Sequence, residues 1–161
     1  MRSRDVRRRH PSWTHRLFSD ADLEAIAAAV AAAERGTSGE IRVHLEPRLP
    51  RRAAAAGDAL ARAAEIFTTL DMQTTAQRNG VLIYLAVDDH KLAILGDAGV
   101  HAHVGDEYWH RVRDGMVERL QSGRAREAVL HAVTEVGDVL RRIFPRRPDD
   151  DNELSDQVSL A

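Results

Sequence analysis

The stretch 78–99, RNGVLIYLAVDDHKLAILGDAG, decides the fold. Its apolar run 81–87 is continuous, without alternation, which predicts a strand buried on both faces at the centre of a sheet. Asp88, Asp89 and His90 form a turn, and a second apolar run leads into a Gly-Asp-x-Gly exit at 96–99. So short a turn brings the second run back antiparallel to the first.

Upstream, Ile41, Val43 and Leu45 alternate with Arg42, His44 and Glu46 until Pro47, the pattern of a strand with one polar face. Between the two strands, Pro50 opens a predicted helix with Ala56, Leu60, Ala63, Phe67 and Leu70 at helical spacing. Strand, helix and strand in one sheet imply a right-handed crossover, so the first strand runs parallel to 81–87. Before it, Ser19 is an N-cap with Asp22 at the third helical position, and Phe18 with Leu23 can form a hydrophobic staple. Leu23, Ile26, Ala27 and Val30 then share a face until Gly36. Downstream, Trp109, Val112, Met116 and Leu120 mark one helix, and Val129, Ala132, Val136, Val139 and Ile143 a second that Pro145 stops. Gly123 leaves them so short a link that they are antiparallel neighbours. The predicted fold class is α/β: a small mixed sheet, a parallel β-α-β crossover plus an antiparallel hairpin, flanked by helices in the order αβαββαα.

The 161 residues suit one domain, expected over 18–145, with a basic arm at 1–17 and an acidic tail at 146–161. Arg2, Arg4, Arg7, Arg8 and Arg9 open the chain, and Asp149, Asp150, Asp151, Glu153 and Asp156 lie near its close. Such runs are ordinarily solvated tails. The arginines could touch an anionic membrane, but neither a lipid anchor nor an apolar partner helix accompanies them. A net charge of -2 argues against general nucleic-acid binding. Without cysteine there is no disulfide, thiolate nucleophile or cysteine zinc site. Lys91 is the only lysine and lies in no glycine-rich loop, so no nucleotide cofactor is indicated. With neither an apolar stretch of membrane-spanning length nor a signal-peptide core, a soluble, cytoplasmic protein is expected.

Strand direction divides the carboxylates. Asp97 falls opposite Val81 or Leu82, near Asn79. Asp88 and Asp89 lie some seven residues along the ladder, roughly 20 Å away at ~3.3 Å per residue. Glu40 opens the parallel strand at the Asp97 end, and Asp106 at the start of the next helix can swing back to it. Glu40, Asp97 and Asp106, with Arg78 and Asn79 in support, thus form a candidate oxygen-ligand site for Ca²⁺ or Mg²⁺. The alternative is that these are strand-end and capping residues bonded to local backbone, and that Asp88 and Asp89 are ordinary turn residues. His101, His103 and His110 cluster in a loop and the following helix, but spacing fixes no third zinc ligand. Ser38 and Ser122 have no triad context, and 36–39 (GTSG) precedes a strand and reads as a turn.

The segments 36–43 (GTSGEIRV), 78–89 (RNGVLIYLAVDD) and 91–99 (KLAILGDAG), with the helices that follow, resemble the TPM domain. That family is named for thylakoid-lumen phosphatase, photosystem II repair and receptor-modulator proteins. The resemblance spans about 20–144 and implies a helix-flanked α/β sheet. It further implies divalent-cation binding in some members, weak acid phosphatase activity in plant relatives, and membrane-protein or photosystem maintenance in others. Where longer members carry a G-Y-G-L-E-G loop, this chain has Gly96, Asp97, Ala98, Gly99 and Val100. Many relatives also have a signal peptide and a C-terminal transmembrane helix, so the chain looks like the short, soluble bacterial branch. Two classes of function follow: a non-catalytic binding or accessory domain with an unidentified protein partner, or a weak divalent-metal-dependent acid phosphatase.

Overall fold

In the computed structural model, which describes residues 10–52, 57–146 and 158–160, the sheet is assembled around one strand. Gly80–Ala86 forms β2, and all of its residues are buried. Glu40–Glu46 (β1) lies parallel to it with Ile41 beside Val81, and Lys91–Gly96 (β3) runs antiparallel with Gly96 beside Val81. The expected crossover and hairpin are both present. Ser159–Leu160 (β4) adds parallel to His44 and Leu45, which gives the order β3-β2-β1-β4.

The twofold period of β2 sorts its side chains between two cores. Val81, Ile83 and Leu85 join Ile41, Val43 and Leu45 on one face. There they meet helices Asp20–Glu34 (α1), Ala98–Gln121 (α3) and Ala125–Ile143 (α4). Leu82, Tyr84 and Ala86 face the other way, under Ala63, Ile66 and Phe67 of Ala59–Thr69 (α2). α3 and α4 are joined through Gly123, at φ 74°, and pack as neighbours. Among the described residues no helix is long and apolar enough to cross a membrane.

Local chemistry accounts for the agreements. Ser19 accepts from the Asp22 amide at 3.0 Å while Asp22 accepts from the Ser19 amide at 2.9 Å, a complete capping box. Phe18 and Leu23 are both buried beside it.

Other boundaries differ from the sequence reading. α2 starts at Ala59, not Pro50, because Asp58 supplies the cap oxygen for the Leu60 and Ala61 amides. Leu60 is 51% exposed and belongs to no core, while Ala56 lies outside the described residues. α3 starts at Ala98, with Asp97 as its cap, and breaks at Gly105 (φ 73°, ψ 176°) before Asp106. His101 and His103 are therefore helical and not in a loop. At the N-terminal side, Ser12–Arg16 forms a 3-10 turn with Thr14 buried and with Trp13 and Leu17 against the core. The packed chain thus begins before residue 18, and at the other end β4 belongs to the sheet although it was expected in a tail. The arginines at 2–9 and the acidic residues at 149–156 lie outside the described residues.

Gly99 fixes the start of α3 against the turn before β2. Its amide donates to the Arg78 carbonyl at 2.9 Å, and a Cβ there would fall 2.1 Å from the Gln77 carbonyl oxygen. Backbone cannot yield as a side-chain tip can, so Gly99→Ala is expected to cost about 2 kcal/mol. Urea unfolding checks this; an unchanged midpoint would show that the contact is slack.

Candidate functional site

The sheet brings Glu40 and Asp97 to one end, on either side of β2. Glu40 pairs with Gly80, and the Asp97 amide donates to the Gly80 carbonyl at 2.9 Å, one residue before the expected position. Asp97 is 7% exposed and already engaged. It accepts from Arg78 Nε at 2.8 Å and Nη2 at 3.0 Å, a two-pronged pair, and from the Ala98 amide at 2.8 Å. Asn79 donates through Nδ2 to Ser38 Oγ at 3.3 Å. Asp106 does not join them: its side chain is 83% exposed, and its neighbour is His101 Nε2 at 3.6 Å. The helix that carries it leaves the sheet at residue 98, eight residues earlier than Asp106's expected place at a helix start. Among the described residues no group of three or more His, Asp or Glu is placed to hold a metal ion.

The opposite end is tied down by the acidic turn. Asp88 pairs with Arg16, lies 3.7 Å from Arg48 Nε, and its amide donates to the Pro47 carbonyl at 2.8 Å. Asp89 accepts from the Leu49 amide at 2.6 Å. Both carboxylates hold the exit of β1 against the hairpin, as turn residues do. Two of the three clustered histidines are likewise occupied, while His110 lines a cleft along β3. His101 Nδ1 accepts from Trp109 Nε1 at 3.0 Å, and His103 Nδ1 lies 3.0 Å from the Gly99 carbonyl.

Two features escaped the sequence. The first is a buried polar cluster on the polar face of β1. Glu46, 3% exposed, accepts from Arg62 Nε at 2.9 Å and Nη2 at 3.0 Å, and from the Tyr84 hydroxyl. Arg62 Nη1 also donates to Glu65 at 2.8 Å. His44, 5% exposed, stacks on Tyr84 with ring centroids 6.2 Å apart, and its Nδ1 meets Ser159 Oγ at 3.0 Å. Burial pushes the Glu46 carboxyl up, but the bonds from Arg62 and Tyr84 outweigh it and hold the carboxyl below its ordinary range. Burial pushes His44 down; the nearby Glu46 opposes this, and the Arg62 and Arg42 charges add to it. An Arg at a helical position paired with a strand Glu was the available signal, but it becomes visible only once α2 is placed over β1.

The second feature is a cleft of about 800 Å³ along β3. The N-terminal end of α2 forms one wall and the second segment of α3 the other. Its floor and sides are mostly apolar, through Leu92, Ile94, Leu95, Trp109, Val117 and Leu120. Trp109 lies so close over Gly96 that a Cβ there would be 2.2 Å from its ring. The bond to His101 and an edge-on contact with Tyr108 at 5.1 Å hold the indole in that place. Lys91 and Arg113 bring positive charge to the cleft, and Asp58 and Asp106 bring negative charge. No serine, threonine or cysteine lines it among the described residues.

A family model described as the TPM domain matches residues 14–139. No curated protein gave a significant match. Among solved structures, the BA42 protein of the psychrophilic bacterium Bizionia argentinensis is 34% identical, with a TM-score of 0.79 over 89% of this chain and 95% of its own. The N-terminal domain of a P. gingivalis protein is 22% identical, at a TM-score of 0.59 over 80% of this chain and 79% of that one. The N-terminal domain of the cg2496 protein from Corynebacterium glutamicum is 15% identical, at 0.57 over 76% and 74%. The last two share the fold.

The buried cluster sets a pH dependence. His44 has a folded pKa below its ordinary 6.5, so the unfolded chain binds the extra proton first and stability falls as pH drops below about 6.5. Glu46 adds a loss of the same sign as pH drops below its ordinary 4.5. Urea midpoints should therefore decline from pH 7.5 to 5.5 in the native protein and decline less in His44→Gln. Equal slopes in the two proteins would exclude His44 as the source.

Proposed function

This chain belongs to the TPM domain family, and we propose that within it the chain serves as a non-catalytic binding or accessory domain. The recognition surface is the cleft along β3. The observation that carries this reading is the cleft itself: about 800 Å³, mostly apolar in lining, and bordered by a sheet edge that has no partner among the described strands. Concave apolar sites with a few placed polar groups are where proteins hold ligands. An accessory role beside membrane proteins, which the family resemblance implies, calls for such a surface and for no turnover.

The runner-up is a divalent-metal-dependent acid phosphatase centred on Asp97. Ca²⁺ or Mg²⁺ would want several oxygens at once. Here Asp97 neutralises Arg78 and caps α3, so an ion would have to displace a charge-assisted pair and a helix cap together. Arg78 would in turn be drawn from its carboxylate to bind phosphate.

Phosphate release from p-nitrophenyl phosphate, with millimolar Ca²⁺ or Mg²⁺, tests the choice. Background release is expected from both the native protein and Asp97→Asn. Metal-dependent turnover that disappears in a folded Asp97→Asn variant would overturn the non-catalytic reading. An amide NMR titration with either cation locates any binding; large shifts at Asp97 and Arg78 would favour the metal site.

A further inference from the structure

We propose that β3 receives an additional strand: an extended acidic peptide segment of a partner protein, laid antiparallel along its free edge with its carboxylates at the Lys91 end. The proposal rests on the cleft being the recognition surface and specifies what enters it.

Backbone register is the first ground. The Asp97 amide bonds the Gly80 carbonyl, so Asp97 belongs to a hydrogen-bonded pair with β2. Alternation then turns Leu95, Ala93 and Lys91 towards β2, and turns the backbone groups of Leu92, Ile94 and Gly96 away from it. β3 is the last strand on its side, so among the described strands these three residues have no ladder partner. Three outward N–H groups and three outward carbonyls on one line match the backbone of one extended segment. The six residues of β3 span about 20 Å, enough for a hexapeptide.

Shape selects the occupant. A flat free edge invites pairing with another sheet, and proteins usually block it with proline, a bulge or charge. β3 has no proline; instead α2 and α3 rise on either side of it. A recessed edge admits one strand between its walls, whereas the equally recessed β3 of a second copy could not reach it. The C-terminal strand of this chain is already spent on the opposite edge, beside β1.

Charge sets the chemistry and direction. Among the described residues, Lys91 Nζ donates only to the Gly57 carbonyl, at 3.2 Å. His90 stands beside it, and the adjoining hollow brings Arg51 to the same end. The neighbouring carboxylates keep their charge but are turned to backbone amides, Asp58 to Leu60 and Ala61, and Asp89 to Leu49, and among the described residues neither Lys91 nor Arg51 has a carboxylate partner. Further along, Arg113 has no carboxylate partner among the described residues. An antiparallel segment places its C-terminal half at the start of β3, where its carboxylates meet Lys91 and Arg51, while its apolar side chains face Trp109 and Leu120.

The test uses the full chain and a capped hexapeptide of alternating threonine and valine that closes on two aspartates. Saturable amide shifts are expected along Leu92, Ile94 and Gly96, with hydrogen exchange of those three amides slowed about tenfold or more. A peptide closing on two lysines should bind about tenfold more weakly, and Lys91→Glu should reverse that preference. If the acidic peptide shifts cleft residues without slowing exchange at the three amides, strand addition is wrong and the binding surface survives. Shifts confined to residues outside the cleft, or no shift with either peptide at millimolar concentration, would remove the proposal. Equal affinity for the two peptides would remove the acidic partner. Slowing of the same amides by raising protein concentration alone would give the edge to a second copy.

Discussion

Both faces of β2 are apolar, and the remainder of the fold is a consequence of covering them. Leu82, Ile83 and Leu85 are each 0–2% exposed. Burial of side chains this size contributes about 1.5–3 kcal/mol apiece, and a single layer of helices could secure only half of the set. Three helices cover the face that β2 shares with the apolar side of β1. One short helix, α2, covers the other. The covering is unequal because the strands beneath differ: β1 contributes Ile41, Val43 and Leu45 to the first face but Arg42, His44 and Glu46 to the second.

That polar side of β1 is compatible with burial only through the cluster that Arg62 organises. An ion pair of this depth gains little over well-packed apolar groups, yet removal of one partner costs about 3–5 kcal/mol because the other is left uncompensated. The pair therefore acts as a register key more than as a source of net stability. It fixes the roll of α2 over the sheet. In doing so it sets the position of Gly57 and Asp58, the residues that begin one wall of the cleft. The cleft is built from the same constraint as the core.

How much of this was readable in the chain depends on the range of the forces involved. Local signals sufficed for the Ser19–Asp22 cap, the central strand, the parallel and antiparallel pairings and the division of Asp88 from Asp97. Each depends on residues a few positions apart or on chirality. Pro50, a common first-turn residue, and the alanines at 53–56 carry the helical pattern upstream of Asp58, the residue that in fact caps α2. The first segment of α3, 98–105 (AGVHAHVG), has little apolar periodicity to mark it as a helix; it is helical through the cap of Asp97 and the contact of Gly99 with the preceding turn. The same early helix start carries Asp106 away from Asp97. Glu46 with Arg62 and Tyr84, and Trp109 over Gly96, are tertiary encounters between segments 13 to 38 residues apart. No pattern in one chain announces them.

The two edges of the sheet complete the logic. Beside β1, a two-residue strand takes up part of the open ladder, and Ser159 also meets His44 from the buried cluster. Beside β3, no described strand does so, and protection comes from the helices that stand over it. Gly96 is what permits this arrangement. Any larger residue would push the indole of Trp109 off the strand, and with it the contact to His101 that braces the first segment of α3 against the second. The bare edge, the glycine and the tryptophan are thus one device. It leaves backbone hydrogen-bonding groups available while excluding the broad sheet-to-sheet contact that an unguarded edge would invite.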